Sequence, residues 1–380
     1  AFFDAVGDLW VLWTEVGNPD FTSYIARYTT EFGFGTPMVV GEGSVTRFGY
    51  DFSDNGDGTL WWVENDGNTI ELHIKDYDAQ TGFEVGSEIV NPNPANTSSP
   101  TFAPPLVRRG PGGHVLAAWR EADGGDNDLF VAIRDPRNEA FGAPQELDGS
   151  CGGFGCPIAN SGANAAGQFA FVATSSDFQP DFYYYNGSSW LPRFDVDNFL
   201  IDRVSLIHVA PNGEALIGYE RQNNSGIFSR NFNGIALGSA RSIATSTSKL
   251  LSLIPEPNGD TIAVVQNGSN LLANTYDFSA DAWGAATSVF TGNFDAALIR
   301  RDSSGNGIVS FRLDEGAGVF SASALQYEVS TGWASMPFPD LEASDDEVIS
   351  VVPSMAPNGD AVVSWRENTL TRSGWFNVFQ

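Results

Sequence analysis

A short motif recurs eight times along the chain, and it constrains the fold more than any other feature. Each copy places a glycine in a turn and, six residues later, an apolar residue that is aromatic in six of the copies. The eight pairs are Gly7/Trp13, Gly56/Trp62, Gly113/Trp119, Gly167/Ala173, Gly213/Tyr219, Gly259/Val265, Gly305/Phe311 and Gly359/Trp365. Successive glycines lie between 46 residues (Gly167 to Gly213) and 57 residues (Gly56 to Gly113) apart. A period of about 50 residues is typical of propellers and solenoids.

Each repeat also contains a regular series of apolar runs. The runs are short, rich in Val, Ile, Phe, Tyr and Trp, and bounded by Gly, Pro, Asn and Asp, which is the signature of β-strands. No stretch of ten or more residues has the periodicity of a helix. The fourth run of seven repeats begins with an aromatic residue or leucine: Phe34, Phe83, Phe141, Trp190, Leu237, Trp283 and Trp333. The pattern predicts an all-β protein with four antiparallel strands in each repeat.

The repeats predict an eight-bladed β-propeller that occupies residues 1–380 as a single domain. The expected units are approximately 1–45, 46–100, 101–150, 151–200, 201–246, 247–292, 293–345 and 346–380. A solenoid is the alternative, but radial closure leaves only short strand edges exposed. Only 21 residues follow Gly359. The last blade is therefore expected to be incomplete, with three strands or with a strand supplied from outside the chain.

The charge balance limits the partners of such a protein. The chain has 19 Lys and Arg against 47 Asp and Glu, which gives a net charge of −28. This surface repels phosphate backbones, so nucleic acid is not an expected partner. No apolar run approaches the roughly 20 residues of a membrane-spanning helix. Scarce lysine and strong acidity also suit a salty medium outside the cell.

The two cysteines lie close together in the sequence CGGFGC. Three glycines between Cys151 and Cys156 allow the backbone to turn tightly enough to join the two sulfurs. The spacing fits neither a four-ligand zinc site nor a redox CxxC motif. The sequence therefore predicts a local disulfide and an oxidising, extracellular location.

The motifs resemble those of exported bacterial repeat proteins. That family carries a G-[ND]-A-x-x-x-W core, here GDAVVSW from Gly359, followed by aromatic-glycine segments such as FGTP, FGAP and WGAA. The chain is similar to sialidase-like and lectin-type propellers, including bacterial fucose-binding propeller lectins. The resemblance implies a propeller at the cell surface or outside the cell, and often glycan binding. The Asp-box S-x-D-x-G-x-x-W of sialidases is missing, which argues against sialidase activity.

Charged residues directly after the repeated aromatic residue are the candidate ligand-binding groups. Loops after the second strands of a propeller gather on one face, and arginine there binds carboxylates in a bidentate manner. The predicted ligand-binding residues, with tryptophan as a platform for the sugar, are Trp119, Arg120, Glu121, Trp365, Arg366 and Glu367. The alternative is that these charges pair with one another and hold neighbouring blades in register.

Other candidate sites have less support in the sequence. Asp51, Ser53 and Asn55 offer oxygen ligands at alternate positions, as calcium loops do, although the glutamate of such loops is replaced by Trp62. Apart from a calcium ion at this loop, the sequence indicates no cofactor. The three histidines are too scattered for a three-histidine metal site, and no catalytic residues are assigned. A lyase-like group, such as His114 with Arg120 and a tyrosine, is compatible with the composition, because proton abstraction next to a carboxylate needs a base and a charge stabiliser.

Three functions follow from these observations. The leading interpretation is a non-catalytic extracellular binding module for glycans. The first alternative is a structural or adhesive surface protein that contacts other surface proteins and forms oligomers or larger assemblies. The second is a polysaccharide lyase or glycoside hydrolase. The fold by itself does not choose between them.

Overall fold

A computed structural model provides the fold of the chain. It describes residues 2–379 apart from 4–8, 17–20, 30, 43–44, 53–56, 66–69, 79–80, 85, 92–104, 124–125, 139, 149–157, 175–178, 198–200, 223–225, 245–247, 257–258, 303–304, 317–318, 336–340, 342–346, 356–358, 360 and 368–373. The regular structure of these residues consists of β-strands alone. Within the same residues there is no helix with the length and apolar character that crossing a membrane requires. The predicted all-β class is confirmed.

The chain divides into two compact units. The first consists mainly of Phe3–Leu216 and Phe232–Gly238, and the second mainly of Ile217–Asn231 and Ser239–Gln380. Their strands belong to eight antiparallel sheets, counted over the described residues.

The first four sheets follow the first four repeats. Sheet 1 contains β1 (Phe2–Phe3), β2 (Leu9–Val16), β3 (Phe21–Thr29), β4 (Gly33–Phe34) and β5 (Met38–Glu42). Sheet 2 contains β6 (Val45–Phe52), β7 (Gly58–Asn65), β8 (Ile70–Asp78), β9 (Gly82–Phe83) and β10 (Glu88–Ile89). Sheet 3 contains β11 (Leu106–Arg109), β12 (Val115–Asp123), β13 (Asp126–Arg134) and β14 (Gln145–Asp148). Sheet 4 contains β15 (Ile158–Ala163), β16 (Phe169–Thr174), β17 (Pro180–Tyr185) and β18 (Phe194–Asp195).

The remaining sheets repeat the same plan. Sheet 5 contains β19 (Ile201–Val209), β20 (Ala215–Arg221), β21 (Ile227–Phe232) and β22 (Arg241–Ala244). Sheet 6 contains β23 (Ser248–Pro255), β24 (Thr261–Asn267), β25 (Asn270–Asp277), β26 (Ala282–Trp283) and β27 (Thr287–Thr291). Sheet 7 contains β28 (Phe294–Arg301), β29 (Gly307–Gly316), β30 (Val319–Glu328) and β31 (Gly332–Trp333). Sheet 8 contains β32 (Val348–Met355), β33 (Ala361–Glu367) and β34 (Gly374–Phe379). Over the described residues this last sheet has three strands, as the short final repeat predicts.

The repeated glycine closes the hairpin between the first two strands of a sheet. The six anchor glycines in the described part of the chain all have a positive φ, namely Gly113, Gly167, Gly213, Gly259, Gly305 and Gly359. In the fifth sheet the amide of Gly213 donates to Ala210 O at 3.0 Å, while Ala210 N donates to Glu214 O at 2.8 Å. A positive φ is accessible to glycine without a steric penalty. The repeated motif is therefore a turn requirement of the fold.

The aromatic residue or leucine that marks the fourth run pairs with the end of the third strand in six sheets. Such pairs join Tyr28 to Phe34, Tyr77 to Phe83, Tyr185 to Trp190, Phe232 to Leu237, Tyr276 to Trp283 and Tyr327 to Trp333. In sheets 1, 2 and 6 a further strand then pairs with the third strand: β5, β10 and β27. The first residue of the fourth run thus lies where the chain turns back to run antiparallel to the third strand.

Apolar clusters lie between consecutive sheets. One cluster joins sheets 2 and 3 through Val63, Leu72 and Trp119. The opposite face of sheet 3 packs on sheet 4 through side chains such as Leu116 and Phe171. In the second unit, equivalent clusters join sheet 6 to sheet 7 and sheet 7 to sheet 8. Strands buried on both faces need apolar residues at successive positions, which explains why several runs lack clean alternation.

Close backbone contact between the first hairpins of sheets 3 and 4 leads to a testable prediction. A Cβ atom on Gly112 would lie 2.1 Å from Ala165 O, so a side chain requires the two hairpins to move apart. We expect Gly112→Ala to lower the free energy of unfolding of the first unit by about 2 kcal/mol in chemical denaturation. Gly142→Ala is the control because its Cβ would find Ile133 O at 3.4 Å, an ordinary contact. Equal stability of the two variants would contradict the packing.

Candidate functional site

Four second strands contain the sequence Trp-x-Glu in their last residues, and the two side chains are joined by a hydrogen bond in each. The indole Nε1 donates to the glutamate Oε1 at 3.2 Å in Trp13/Glu15, 2.8 Å in Trp62/Glu64, 2.9 Å in Trp119/Glu121 and 3.2 Å in Trp365/Glu367. Residues two apart in a strand share a face of the sheet, which brings the two groups together. The carboxylate at this position thus satisfies the N–H of the tryptophan before it.

The predicted tryptophan platforms are buried. Trp119 is 1% exposed and Trp365 is 7% exposed. Trp119 packs on the second sheet and stacks on Phe130, with ring centroids 6.1 Å apart. Neither indole offers an open face to a sugar ring. An aromatic platform for a glycan must therefore come from other residues than these two.

Glu121 is held from both sides. In addition to the bond from Trp119, the side chain of Asn91 hydrogen-bonds to it, and Asn91 also accepts from Leu72 N at 2.7 Å and donates to Ile70 O at 2.7 Å. Burial raises the pKa of Glu121, and these two hydrogen bonds oppose the rise. Glu121 therefore ties sheet 3 to the edge of sheet 2, as the alternative interpretation of the repeated charges expects.

Two further charged residues of the repeated position link neighbouring sheets in the second unit. Glu220 Oε1 accepts from Leu250 N at 2.8 Å, and Arg312 Nη1 donates to Val348 O at 3.2 Å. Arg312 also forms a bidentate pair with Asp295. These side chains, like Glu121, hold sheets in register.

Arg120 differs from the other charged residues of this position. It is 6% exposed, and its Nε and Nη1 have no hydrogen-bond partner in the described part of the chain. Burial lowers the pKa of Arg120, and the positive charge of Arg47 lowers it further. Arg47 itself is exposed to solvent. Two neighbouring guanidinium groups favour the binding of an anion.

The equivalent tripeptide in sheet 8 has a different environment. Arg366 is exposed, whereas Glu367 is buried and accepts from Trp365. The Trp-Arg-Glu sequence alone thus does not set the burial of its arginine. The predicted ligand-binding residues of the two tripeptides belong to different compact units.

A third group of polar residues lies at the end of the hairpin formed by β7 and β8. His73 Nε2 is 3.1 Å from Glu71 Oε2 and 3.5 Å from Glu64 Oε2. One ligand atom from each of the three side chains fits within 4.8 Å. The imidazole ring stacks on Trp62 with centroids 5.1 Å apart, and Ser87 Oγ lies 3.2 Å from Nδ1. These residues have the types and spacing that hold a metal ion.

The predicted calcium ligands and the two cysteines are not part of the groups described above. Asp51 accepts from Arg108 Nη1 at 3.2 Å and from Arg109 N at 2.6 Å, so its two oxygens already have donors. Ser53 and Asn55, the other residues of the calcium proposal, lie outside the described residues, as do Cys151 and Cys156. The calcium site and the disulfide stay predictions.

The lyase-like group of His114 and Arg120 is not assembled. His114 precedes β12, and Arg120 lies six residues further along this extended strand. At roughly 3.3 Å per residue, the two backbones are about 20 Å apart. His114 Nε2 instead lies 4.0 Å from Asp135 Oδ2.

The structure adds Arg47, Asn91, Glu71 and His73 to the candidate residues. A signal for the last two is present in the sequence, because Glu71-x-His73 has the two-residue spacing of one strand face. Matching it to Trp62-x-Glu64 requires the hairpin register, in which Glu64 lies opposite Glu71 and Trp62 opposite His73. Arg47 and Asn91 carry no such signal, because each meets its partner across a sheet boundary.

Comparisons with known proteins support the fold. No family model matches the sequence, and no curated protein is similar to it. Among solved structures, puromycin hydrolase is similar over 97% of this chain and 57% of its own length, with 13% identity and a TM-score of 0.52. A post-proline cleaving enzyme from Rickettsia typhi is similar over 96% of this chain and 57% of its own, with 7% identity and a TM-score of 0.50. A polysaccharide lyase is similar over 83% and 87%, with 11% identity and a TM-score of 0.47.

The chain thus spans a little over half the length of the first two structures. At identities this low, the similarity shows a propeller-like all-β fold and carries no information on activity.

Proposed function

We propose that the protein is an extracellular, non-catalytic module that binds acidic glycans, with Arg120 and Arg47 receiving a uronate carboxylate. We also propose that the eight repeats form the eight blades of one propeller. The observation that carries the proposal is the buried guanidinium of Arg120, whose Nε and Nη1 have no partner among the described residues.

The contrast with seven other arginines supports an anionic ligand. Acidic residues outnumber basic ones by 47 to 19, and a carboxylate is therefore easy to find. Arginines that have one within 4 Å are Arg108, Arg109, Arg134, Arg137, Arg193, Arg241 and Arg312. Arg120 instead has a second arginine as its charged neighbour. A buried cation without a counter-charge is unfavourable, so a bound carboxylate would relieve both the desolvation and the repulsion.

The chemistry of the ligand follows from this site and from the charge of the chain. Polyanions of high charge density, such as nucleic acids, are repelled by a net charge of −28. An acidic glycan carries carboxylates separated by neutral hydroxyl groups, and a guanidinium donates charge-assisted hydrogen bonds to such a carboxylate.

The test is titration calorimetry with trigalacturonate and with its methyl ester, which lacks the charge. We expect trigalacturonate to bind the native chain and Arg120→Met to weaken binding at least tenfold, or about 1.4 kcal/mol. Arg47→Ala should weaken it less because its exposed charge is screened by solvent. Arg137→Ala is the control, since this exposed arginine has Asp135 as its partner.

Three results would count against the proposal. Equal binding of the methyl ester would exclude a carboxylate receptor, and unchanged affinity in folded Arg120→Met would place the site elsewhere. The release of shortened or unsaturated products from polygalacturonate would support the lyase or hydrolase alternative instead.

A further inference from the structure

Two glutamates face each other across the β7–β8 hairpin. Glu64 lies directly opposite Glu71 in the antiparallel register, and Trp62 lies opposite His73. Like charges at directly opposite positions destabilise a sheet unless a cation lies between them. The side chains are 24% and 28% exposed, so water screens them only in part.

The distances between the three groups match the ligand spacing of a small divalent metal ion. In tetrahedral zinc sites the bonds to nitrogen and oxygen are about 2.0–2.1 Å, which places neighbouring ligand atoms about 3.3 Å apart. His73 Nε2 lies 3.1 Å from Glu71 Oε2 and 3.5 Å from Glu64 Oε2. Both distances from the imidazole nitrogen are thus close to the spacing of ligand atoms around such an ion, and the three ligand atoms all lie within 4.8 Å of one another.

Groups outside the triad fix the orientation of two of its members. Trp62 Nε1 donates to Glu64 Oε1 at 2.8 Å, which leaves Oε2 directed to His73. On the far side of the imidazole, Ser87 Oγ lies 3.2 Å from Nδ1. The stacked indole, at an interplanar angle of 8°, fixes the plane of the ring. Metal-ligating histidines have this arrangement, with one ring nitrogen on the metal and the other held by a polar neighbour.

Sheets 1 and 3 contain the same Trp-x-Glu bond without the histidine, and only sheet 3 keeps a carboxylate, Asp128, opposite its glutamate. In sheet 1 the residues opposite Trp13 and Glu15 are Tyr24 and Thr22. In sheet 3 the residues opposite Trp119 and Glu121 are Phe130 and Asp128. The tryptophan and its glutamate are thus combined with several residue types at the positions of Glu71 and His73, and among sheets 1, 2 and 3 the histidine is present in sheet 2 alone. Their presence in sheet 2 calls for a reason beyond the architecture.

We propose that Glu64, Glu71 and His73 bind one divalent transition-metal ion of the Zn²⁺ class. One imidazole nitrogen and two carboxylate oxygens suit zinc, whereas calcium prefers oxygen ligands alone. Three protein ligands leave at least one coordination position for water or for an oxygen of a ligand. The site is independent of the glycan proposal, because Arg120 and Arg47 take no part in it.

The test uses the full chain after removal of metals by a chelator, with titration of ZnCl₂ by calorimetry and a Co²⁺ absorption spectrum. We expect one Zn²⁺ per chain, a higher melting temperature with Zn²⁺, and much weaker binding of Ca²⁺. Glu71→Gln and His73→Gln should each weaken Zn²⁺ binding at least 100-fold and change the Co²⁺ spectrum. Glu15→Gln is the matched control, because it alters the same Trp-x-Glu motif in a sheet without the other ligands.

Several results would overturn the proposal. These are no Zn²⁺ binding by the native chain, unchanged affinity in both triad variants, or Ca²⁺ binding as tight as that of Zn²⁺. Glutamine retains hydrogen-bonding groups at both positions, and circular dichroism and the melting temperature of each metal-free variant verify that it is folded. If the native chain binds no Zn²⁺ and His73→Gln lowers its stability, the triad is an ion pair that stabilises the hairpin.

Discussion

Replacing Asp76 by alanine is expected to lower the free energy of unfolding of the first unit by about 3–5 kcal/mol. Asp76, in sheet 2, is the shared partner of two arginines of sheet 3. Arg109 Nη1 lies 3.2 Å from its Oδ2, and Arg134 Nη2 donates to the same oxygen. The arginine side chains are only 10% and 8% exposed, so without Asp76 two desolvated cations would face each other.

The neighbouring carboxylates do not replace Asp76. Asp57 lies 3.8 Å from Arg109, and Glu88 lies 3.6 Å from Arg134, which is beyond hydrogen-bond distance in both cases. Thr59 donates to Asp76 at 3.1 Å and would also lose its acceptor. Because the ion pairs are largely buried, 1 M salt should not restore the lost stability.

Chemical denaturation gives the magnitude of the effect, and hydrogen exchange of peptides from sheets 2 and 3 gives its location. Asp76→Asn keeps the shape of the side chain but removes its charge. We expect it to lower the free energy of unfolding by most of the amount that Asp76→Ala does. Arg137→Ala is the control: its side chain is 85% exposed, and its ion pair with Asp135 should leave stability nearly unchanged. If Asp76→Ala lowers the free energy of unfolding by less than about 1 kcal/mol, water must solvate the two arginine side chains in place of the carboxylate.

The parts of the fold that could be predicted from the sequence are those that depend on local chemistry. A glycine with positive φ, two polar neighbours and short apolar runs define a hairpin within about ten residues. The six described anchor glycines have this conformation. Over the described residues the last sheet has three strands, which is one of the two arrangements expected for the final repeat.

The candidate site depends on contacts that the sequence does not specify. The burial of Trp119 results from packing on sheet 2, about 50 residues earlier in the chain, and Asn91 meets Glu121 for the same reason. Arg120 and Arg366 follow tryptophan in identical tripeptides, yet one is buried and the other exposed. Such differences arise between sheets, where no short-range signal exists.

The cluster of Glu64, Glu71 and His73 is an intermediate case. Its residues lie within one hairpin, and a two-residue spacing on each strand places them on one face. When the register of β7 and β8 is not known, however, His73 is only one of three histidines that are far apart in the sequence. A shift of one residue would move it to the opposite face of the sheet. The pairing of Trp62 with His73 is thus what shows that His73 lies on the same face of the sheet as Glu64 and Glu71.

Replacing Trp119 by alanine is the second large effect expected, a loss of about 3–5 kcal/mol from the free energy of unfolding of the first unit. The indole is 1% exposed and packs with Val63 and Leu72 of the preceding sheet, so its removal leaves a cavity between two sheets. It also deprives Glu121 Oε1 of a donor at 2.9 Å, although Asn91 still bonds to this side chain. Denaturation monitored by circular dichroism measures the loss without relying on tryptophan fluorescence.

The half-buried Trp13 provides the matched comparison for Trp119. It forms the same bond to a glutamate and stacks on Tyr24 at 5.6 Å, but it is not enclosed by a neighbouring sheet to the same degree. Trp13→Ala should therefore lower the free energy of unfolding by about half as much as Trp119→Ala, because less buried apolar area is removed. Trigalacturonate binding, measured on the folded fraction, should survive in both variants, because the proposed receptor is the guanidinium pair. If Trp119→Ala instead abolished binding while the unfolding transition stayed unchanged, the indole would be a ligand platform and the packing role argued from its burial would be wrong.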